Sequence, residues 1–292
     1  MKKLIFKGAA TAIVTPMNDD FSVNYSKLKE LTENQIEKGI DALVVCGTTG
    51  ESSTLSASEH FNVIKTVVTQ AGGRIPVIAG AGSNSTSHSV ELCKSAENAG
   101  ADALLLVTPY YNKTSQKGLI AHYNHIADNT SLPIILYNVP SRTGVNIKPE
   151  TYRELSLHKN IVAVKEANSD VAALAESMAL CGDNLTFYSG NDDTIVPFMS
   201  LGALGVISVL SNVLPYETHK MCDDYLNGDT GSAAAAQIKY MGLIKALFCD
   251  VNPIPVKDAM NQLGMQVGPT RLPLCPASNE HKLLIKSELS KI

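Results

Sequence analysis

Eight short apolar runs recur along the first 230 or so residues: Thr11–Thr15, Asp41–Cys46, Ile75–Ala79, Asp102–Val107, Pro133–Asn138, Ile161–Lys165, Leu185–Ser189 and Gly205–Val209. They are mostly unbroken Val, Ile, Leu and Ala and lack the in–out alternation of a strand with one wet face. Such continuity suits a sheet covered on both faces, which is usually parallel. Helical patterns fill the gaps at 25–38, 57–71, 86–99, 115–129, 149–157, 170–181, 191–200 and 215–227. Ser58, Ser87 and the Lys148-Pro149 pair read as start signals. Gly39, Gly72-Gly73, Gly100 and Gly182 read as stops just past helix ends.

Eight strand–helix units predict a (β/α)8 TIM barrel, an α/β fold. A doubly wound open sheet shares the local pattern, and the count of eight favours closure. After Gly228 no strand run appears, and 229–250, 255–264 and 278–291 look helical. The expected organisation is a catalytic barrel over 1–228 and a small C-terminal helical region over 229–292, lying behind the barrel.

At 292 residues the chain is long enough for a single α/β barrel and its core. A net charge of −4 leaves no broad basic face, so nucleic acid is not an expected partner. No apolar stretch reaches the ~18–20 residues that span a bilayer. Met1-Lys2-Lys3 and Ala10-Thr11-Ala12 imitate the ends of a signal peptide, but only Leu4-Ile5-Phe6 lies uninterrupted before Lys7. A cytoplasmic setting is expected. The six cysteines form no C-x-x-C pair and read as free buried thiols.

In such a barrel the site is built where the strands end. Lys165 closes the run Ile161-Val162-Ala163-Val164, so its stem rises inside the mouth. Desolvation there disfavours the ammonium, and a neutral amine can attack a carbonyl to form a Schiff base. Tyr137 ends the adjacent strand and could relay protons, provided that hydrogen bonds stabilise its phenolate. Thr48 and Thr49 offer hydroxyls and the N–H groups of a glycine-bracketed turn, suited to a small carboxylate. Arg142, on a Pro/Gly-bounded loop, can clamp a second carboxylate through two parallel hydrogen bonds.

Other chemistries find less support. Gly47–Glu51 lacks the phosphate-loop spacing, and Glu51 would repel phosphate. Gly80-Ala81-Gly82 meets Ser85 where a dinucleotide fingerprint needs its third glycine. His122 and His125 could share a metal, but nothing completes the set, and a solvated helix face is expected for them. There is no G-x-S-x-G elbow.

Gly47-Thr48-Thr49-Gly50-Glu51, Pro109-Tyr110-Tyr111, the Tyr137–Gly144 segment YNVPSRTG and Val164-Lys165-Glu166 resemble the pyruvate-dependent class I aldolase superfamily. Within it the chain is similar to the dihydrodipicolinate synthase family, over essentially its whole length. The resemblance implies a barrel with C-terminal helices. It also implies a Schiff base between Lys165 and pyruvate, and a proton relay of Thr48, Tyr137 and Tyr111, with Tyr111 reaching a neighbouring subunit's site. Thr49 would hold the pyruvate carboxylate, with Gly190 and Ile207 supplying backbone around lysine and substrate. Arg142 would receive the carboxylate of aspartate 4-semialdehyde. No cofactor or metal is implied, and a homo-oligomer is, commonly a tetramer built as a dimer of dimers.

Sialic acid lyases of the same superfamily lack the arginine in the Y-N-x-P loop, so Arg142 separates the two. A sugar-acid aldolase is the nearest rival. A silent barrel used as a sensor or scaffold would not need the relay. The resemblance also places Ser52, His60, Asn84 and Tyr110 in an effector pocket for lysine. Ala57 and His88 stand where sensitive members carry histidine and glutamate. Without that carboxylate the effector's ammonium loses a charge-assisted partner, so weak or absent inhibition by lysine is expected.

Overall fold

The eight apolar runs close into one parallel barrel in sequential order, β1 to β8 and back to β1, in a computed structural model that describes residues 2–292. The strands are β1 Gly8–Ala12, β2 Ala42–Val45, β3 Val77–Gly80, β4 Ala103–Val107, β5 Ile134–Asn138, β6 Ile161–Glu166, β7 Thr186–Ser189 and β8 Gly205–Ser208. Closure rests on the β1–β8 ladder, where Gly8 pairs with Gly205 and Thr11 with Ser208. The open-sheet alternative therefore falls away.

The connecting helices are α1 Tyr25–Glu37, α2 Ala57–Ala71, α3 Thr86–Ala99, α4 Gln116–Asp128, α5 Pro140–Thr143, α6 Pro149–Leu155, α7 Val171–Cys181, α8 Ile195–Met199 and α9 Pro215–Leu226. Three more follow: α10 Thr230–Ala246, α11 Ile254–Gln262 and α12 Asn279–Leu289. Alternate strand positions feed two cores. Leu43, Val45, Leu104, Leu106 and Val164 pack outward against the helices, while Ala10, Val44, Ile78, Leu105 and Ile207 fill the barrel. Strands buried on both sides need no polar alternation, which explains the unbroken runs.

Several local features differ from the sequence expectation. β1 starts three residues earlier than expected, so Ala10-Thr11-Ala12 lies inside a core strand; Met1, where the signal-like start opens, is outside the described residues. The helix caps are Ser56 and Ser85, not Ser58 and Ser87. Ser56 forms a reciprocal box with Glu59, which only a serine three residues before that glutamate can do. The helix expected over 191–200 shrinks to a 3-10 turn plus α8.

His122 is buried, not solvated. It falls on the inward face of α4 with Leu119, Tyr123 and Ile126, bonded through Nδ1 to Thr86 Oγ1 at 2.9 Å. Burial pushes its pKa down to about 4. Cys46, Cys93, Cys181 and Cys222 are buried thiols as expected, but Cys249 is half-buried and Cys275 exposed.

The C-terminal region does not sit behind the barrel. Its chain crosses the mouth, where Asn252 Nδ2 donates to Thr49 Oγ1 (2.9 Å) and Lys257 Nζ to Glu51 Oε1 (2.6 Å). Among the described residues no helix is long and apolar enough to cross a membrane.

Candidate active site

The facing of Lys165 is set by an irregularity in β6. Ile134 pairs with Ile161, but the next residue, Ile135, pairs with Ala163, so the ladder skips Val162. Because side chains alternate, a one-residue slip reverses every facing beyond it. Ile161 packs outward, while Ala163 belongs to the inner core. Lys165 follows Ala163 inward, and Glu166 points out, where Tyr152 Oη (2.6 Å), Asn138 Nδ2 (2.8 Å) and Asn168 N–H (2.8 Å) donate to its carboxylate.

Lys165 is 6% exposed. It pairs in register with Tyr137 on β5, and its Nζ lies 4.5 Å from the centre of the tyrosine ring. Burial is the chief cause that pulls its pKa down to about 8; Asp192 opposes the drop and Arg142 reinforces it. The amine is thus substantially neutral at mildly alkaline pH. Tyr137 moves the other way. Burial raises its phenol above the ordinary value, and Arg142 and the Thr48 side chain only partly offset this. The sequence-based condition of a stabilised phenolate is not met; the tyrosine rests as a neutral phenol, able both to donate and to accept a proton.

The Gly47–Glu51 turn is bracketed by two left-handed residues, Cys46 and Glu51, both at φ 54°. Its internal bonds run from Gly50 N–H to Gly47 O and from Glu51 N–H to Thr48 O, both 3.1 Å. The Thr48 and Thr49 N–H groups donate to nothing among the described residues, leaving two backbone donors for an anion. Below the turn, Gly80 leaves space that no side chain could share, since a Cβ there would lie 2.1 Å from Cys46 O.

The turn is fastened by a buried pair. Lys257 Nζ and Glu51 Oε1 meet at 2.6 Å with side chains 2% and 1% exposed, and Arg271 N–H donates to Glu51 Oε2 at 2.9 Å.

Arg142 lies not on an irregular loop, as the flanking Pro and Gly suggest, but on α5, a single helical turn begun by Pro140 and ended by Gly144 at φ 66°. Its guanidinium Nη2 donates to Asn252 O at 3.3 Å. Across the mouth, Gly190 lets β7 meet β6 closely: its N–H donates to Glu166 O at 2.7 Å, and a Cβ would approach Ala167 Cβ to 2.8 Å.

A cavity of about 170 Å³ gathers Thr48, Thr49, Tyr137, Arg142, Lys165 and Gly190. Phe248 and Asn252 complete its wall, and a wider cleft of about 490 Å³ adjoins it through Ser141, Ala167, Asn191 and Phe248. Sequence reasoning missed Phe248 and Asn252. They lie more than 80 residues from Lys165 and follow no strand, so the barrel rule does not reach them.

Ile207 is buried in the barrel core and does not line the cavity. Tyr111 stands outside it, 92% exposed with φ 67°. Ser52, His60, Asn84 and Tyr110 lie outside it too. Of these, His60 is buried with Nε2 2.9 Å from Gly80 O, and Asn84 O accepts from Asn112 Nδ2 at 3.0 Å. Among the described residues no group of three His, Cys, Asp or Glu is placed to hold a metal.

A parallel (β/α)8 barrel with a desolvated amine, a phenol and a guanidinium around one mouth defines a class of barrel enzyme that works on small carbonyl acids. Comparison with known proteins narrows the class. The profile of the dihydrodipicolinate synthetase family matches residues 5–292. The chain is 54% identical over 288 residues to a 4-hydroxy-tetrahydrodipicolinate synthase of Thermoanaerobacter sp. (strain X514), covering 98% of this chain and 97% of that one.

It superposes with TM-score 0.96 and 43% identity on the chloride-inhibited dihydrodipicolinate synthase of Acinetobacter baumannii complexed with pyruvate, with 98% of each chain covered. A monomeric dihydrodipicolinate synthase variant matches with TM-score 0.96 and 42% identity, covering 98% of this chain and 97% of that one. The chain belongs to the dihydrodipicolinate synthetase family.

Proposed function

We propose that this protein is a lyase that condenses pyruvate with L-aspartate 4-semialdehyde through an imine on Lys165, giving 4-hydroxy-tetrahydrodipicolinate for the synthesis of diaminopimelate and lysine. The observation that carries the reading is the inward, buried Lys165 opposite Tyr137, its pKa drawn down to about 8. A relative of 43% identity that was solved with pyruvate supports the first substrate.

The neutral amine adds to the keto carbon, and the carbinolamine expels water to leave an imine. Loss of a methyl proton gives an enamine, whose carbon attacks the aldehyde. The second substrate's own amine then attacks the imine carbon, closes the ring and frees Lys165. The Thr48 and Thr49 N–H groups bind the pyruvate carboxylate, with the Thr49 hydroxyl held in place by Asn252. Tyr137 passes protons to and from the carbinolamine through Thr48, and Arg142 receives the second carboxylate. Gly190 shapes the wall beside the lysine, and Ile207 packs in the barrel core outside the cavity.

Tyr111 completes the relay from a second subunit, in a homo-oligomer built as a dimer of dimers. A tyrosine 92% exposed on backbone held at φ 67° supports this, since an aromatic ring left in solvent on a strained backbone gains little within its own chain. Ser52, His60, Asn84 and Tyr110 form an effector pocket that binds lysine poorly, because His88 offers no carboxylate and instead lies 3.2 Å from Glu91.

A coupled assay with pyruvate plus aspartate 4-semialdehyde, run beside cleavage of N-acetylneuraminate, tests the assignment. Turnover of the first pair is expected. Activity with the sugar acid alone would replace this reading with that of a sugar-acid lyase.

A further inference from the structure

One buried acid at the mouth takes no part in the steps above. Asp192 follows β7 two residues after Gly190 and is 2% exposed. Its Oδ2 accepts from the N–H groups of Val209 (3.0 Å) and Leu210 (2.9 Å), just past β8. Its main-chain carbonyl accepts from Gln237 Nε2 at 2.9 Å, so the backbone is clamped as well. The second carboxylate oxygen, Oδ1, is buried and has no hydrogen-bond partner among the described residues. Asn191 on one side and Val209 on the other line the Lys165 cavity, and Asp192 itself lines the adjoining cleft, which sets it between the two at the ends of β7 and β8.

A buried carboxylate with an idle oxygen is costly unless a cation faces it. Of the charges that act on Asp192 the cation is Lys165; the Cys222 thiol of α9 also senses it, and Asp193 and Lys245 line the adjoining cleft beside it. The Tyr137 ring from β5 lies beside the Lys165 Nζ, and the charges of Asp192 and of the Arg142 guanidinium from α5 act on it. Glu166, its sequence neighbour, is turned outward to Tyr152 and Asn138. Asp192 is therefore, among the described residues, the one negative charge acting on the amine.

We propose that Asp192 is a positioning residue that acts through Lys165, its fixed charge balancing the iminium that forms there with a 2-oxo acid. The inference rests on the imine reading above. In that step the amine nitrogen bonds to the keto carbon, the oxygen leaves as water, and one proton is taken up overall, so the protonated imine nitrogen carries a positive charge that is discharged when a methyl proton departs to give the enamine. Burial and Arg142 both disfavour that cation. Asp192 opposes them without moving a proton, and in the free protein it keeps the Lys165 pKa from falling further.

The test is Asp192→Asn, which preserves an acceptor for the two backbone N–H groups and removes the charge. The pH dependence of adduct formation with pyruvate alone is followed by cyanoborohydride trapping and mass mapping of Lys165, alongside steady-state kcat. The half-rise near pH 8 is expected to move down by about one unit or more, the size of a nearby charge's effect. The kcat should fall at least about tenfold as the iminium loses its counter-charge.

Ser208→Ala, which keeps the charge, should leave the half-rise in place. Asp192→Ser serves the same purpose should the Asn variant not fold. A half-rise unmoved in the neutral variants, with or without a fall in activity, overturns the proposal. No adduct at Lys165 in the unaltered protein would instead overturn the imine reading beneath it.

Discussion

At Lys165 the barrel's dry interior acts on a single amine, and the resulting pKa of about 8 yields a direct expectation. The neutral, attacking fraction grows as pH rises, so kcat/KM for pyruvate should climb between about pH 7 and 9 and level off above. A profile flat across that range would mean that the amine does not limit capture. The level of this residue is legible in the sequence, because it closes an unbroken apolar run and so stands at a strand end; its inward facing is not, since that follows from the skip at Val162.

The state of Tyr137 is not legible in the same way. Strand position brings the ring to Lys165, but the direction of its titration depends on complete burial by residues far apart in the chain. Tyr137→Phe should still form the pyruvate adduct while kcat drops about 10²–10⁴-fold, the usual weight of a proton-transfer group. Arg142→Ala should raise KM for the semialdehyde roughly 10- to 100-fold, in line with losing a charge-assisted bond, and leave KM for pyruvate nearly unchanged.

Among the elements, strands show more plainly in the sequence than helix ends or the C-terminal crossing. Eight apolar runs locate the strands because a sheet covered on both faces leaves no other composition open. The skip at Val162 is invisible there, since Ile161, Val162, Ala163 and Val164 are equally apolar and only the register tells them apart. That skip turns Glu166 away from the mouth and into a pocket with Tyr152 and Asn138, where burial lifts its pKa to about 7.

A carboxyl whose pKa rises on folding stabilises the fold fully below its unfolded value, and the benefit disappears as pH passes through the folded value. At this residue the loss amounts to about 3 kcal/mol between roughly pH 4.5 and 8. Glu166→Gln should therefore flatten the dependence of the urea midpoint on pH over that range. An equally steep slope in the variant would place its origin elsewhere.

The Lys257–Glu51 pair is an element-scale fastening of a different kind, since it ties α11 to the turn that presents Thr48 and Thr49. Lys257→Met leaves Glu51 buried without its cation, and the stability measured by denaturant should fall by about 3–5 kcal/mol. Neither partner stands out in the sequence. A glutamate after a Gly-Thr-Thr-Gly turn and a lysine some 200 residues later carry no local pattern that joins them.

For the whole molecule, the barrel's closure and the path of the C-terminal chain decide what the site can be. The first follows from counting strands; the second emerges only where Asn252 meets Thr49 and Arg142. Helices without strands offer no clue to which end of a barrel they cover, so the sequence leaves the tail's placement at the mouth hidden. In the proposed assembly Tyr111, whose ring lies outside the cavity of its own chain, serves a neighbouring site. Diluting the protein should lower specific activity in step with dissociation measured by analytical ultracentrifugation, and Tyr111→Phe should lower kcat without changing the sedimentation of the assembled form. Millimolar lysine should slow turnover little, as His88 gives its ammonium no carboxylate; strong inhibition at that concentration would contradict the reading of the effector pocket.

The most direct test of the account is covalent. Treating the protein with pyruvate and sodium borohydride, then mapping its peptides by mass, should locate a single reduced adduct on Lys165, absent when pyruvate is omitted. An unmodified Lys165, or an adduct confined to another lysine, would contradict it.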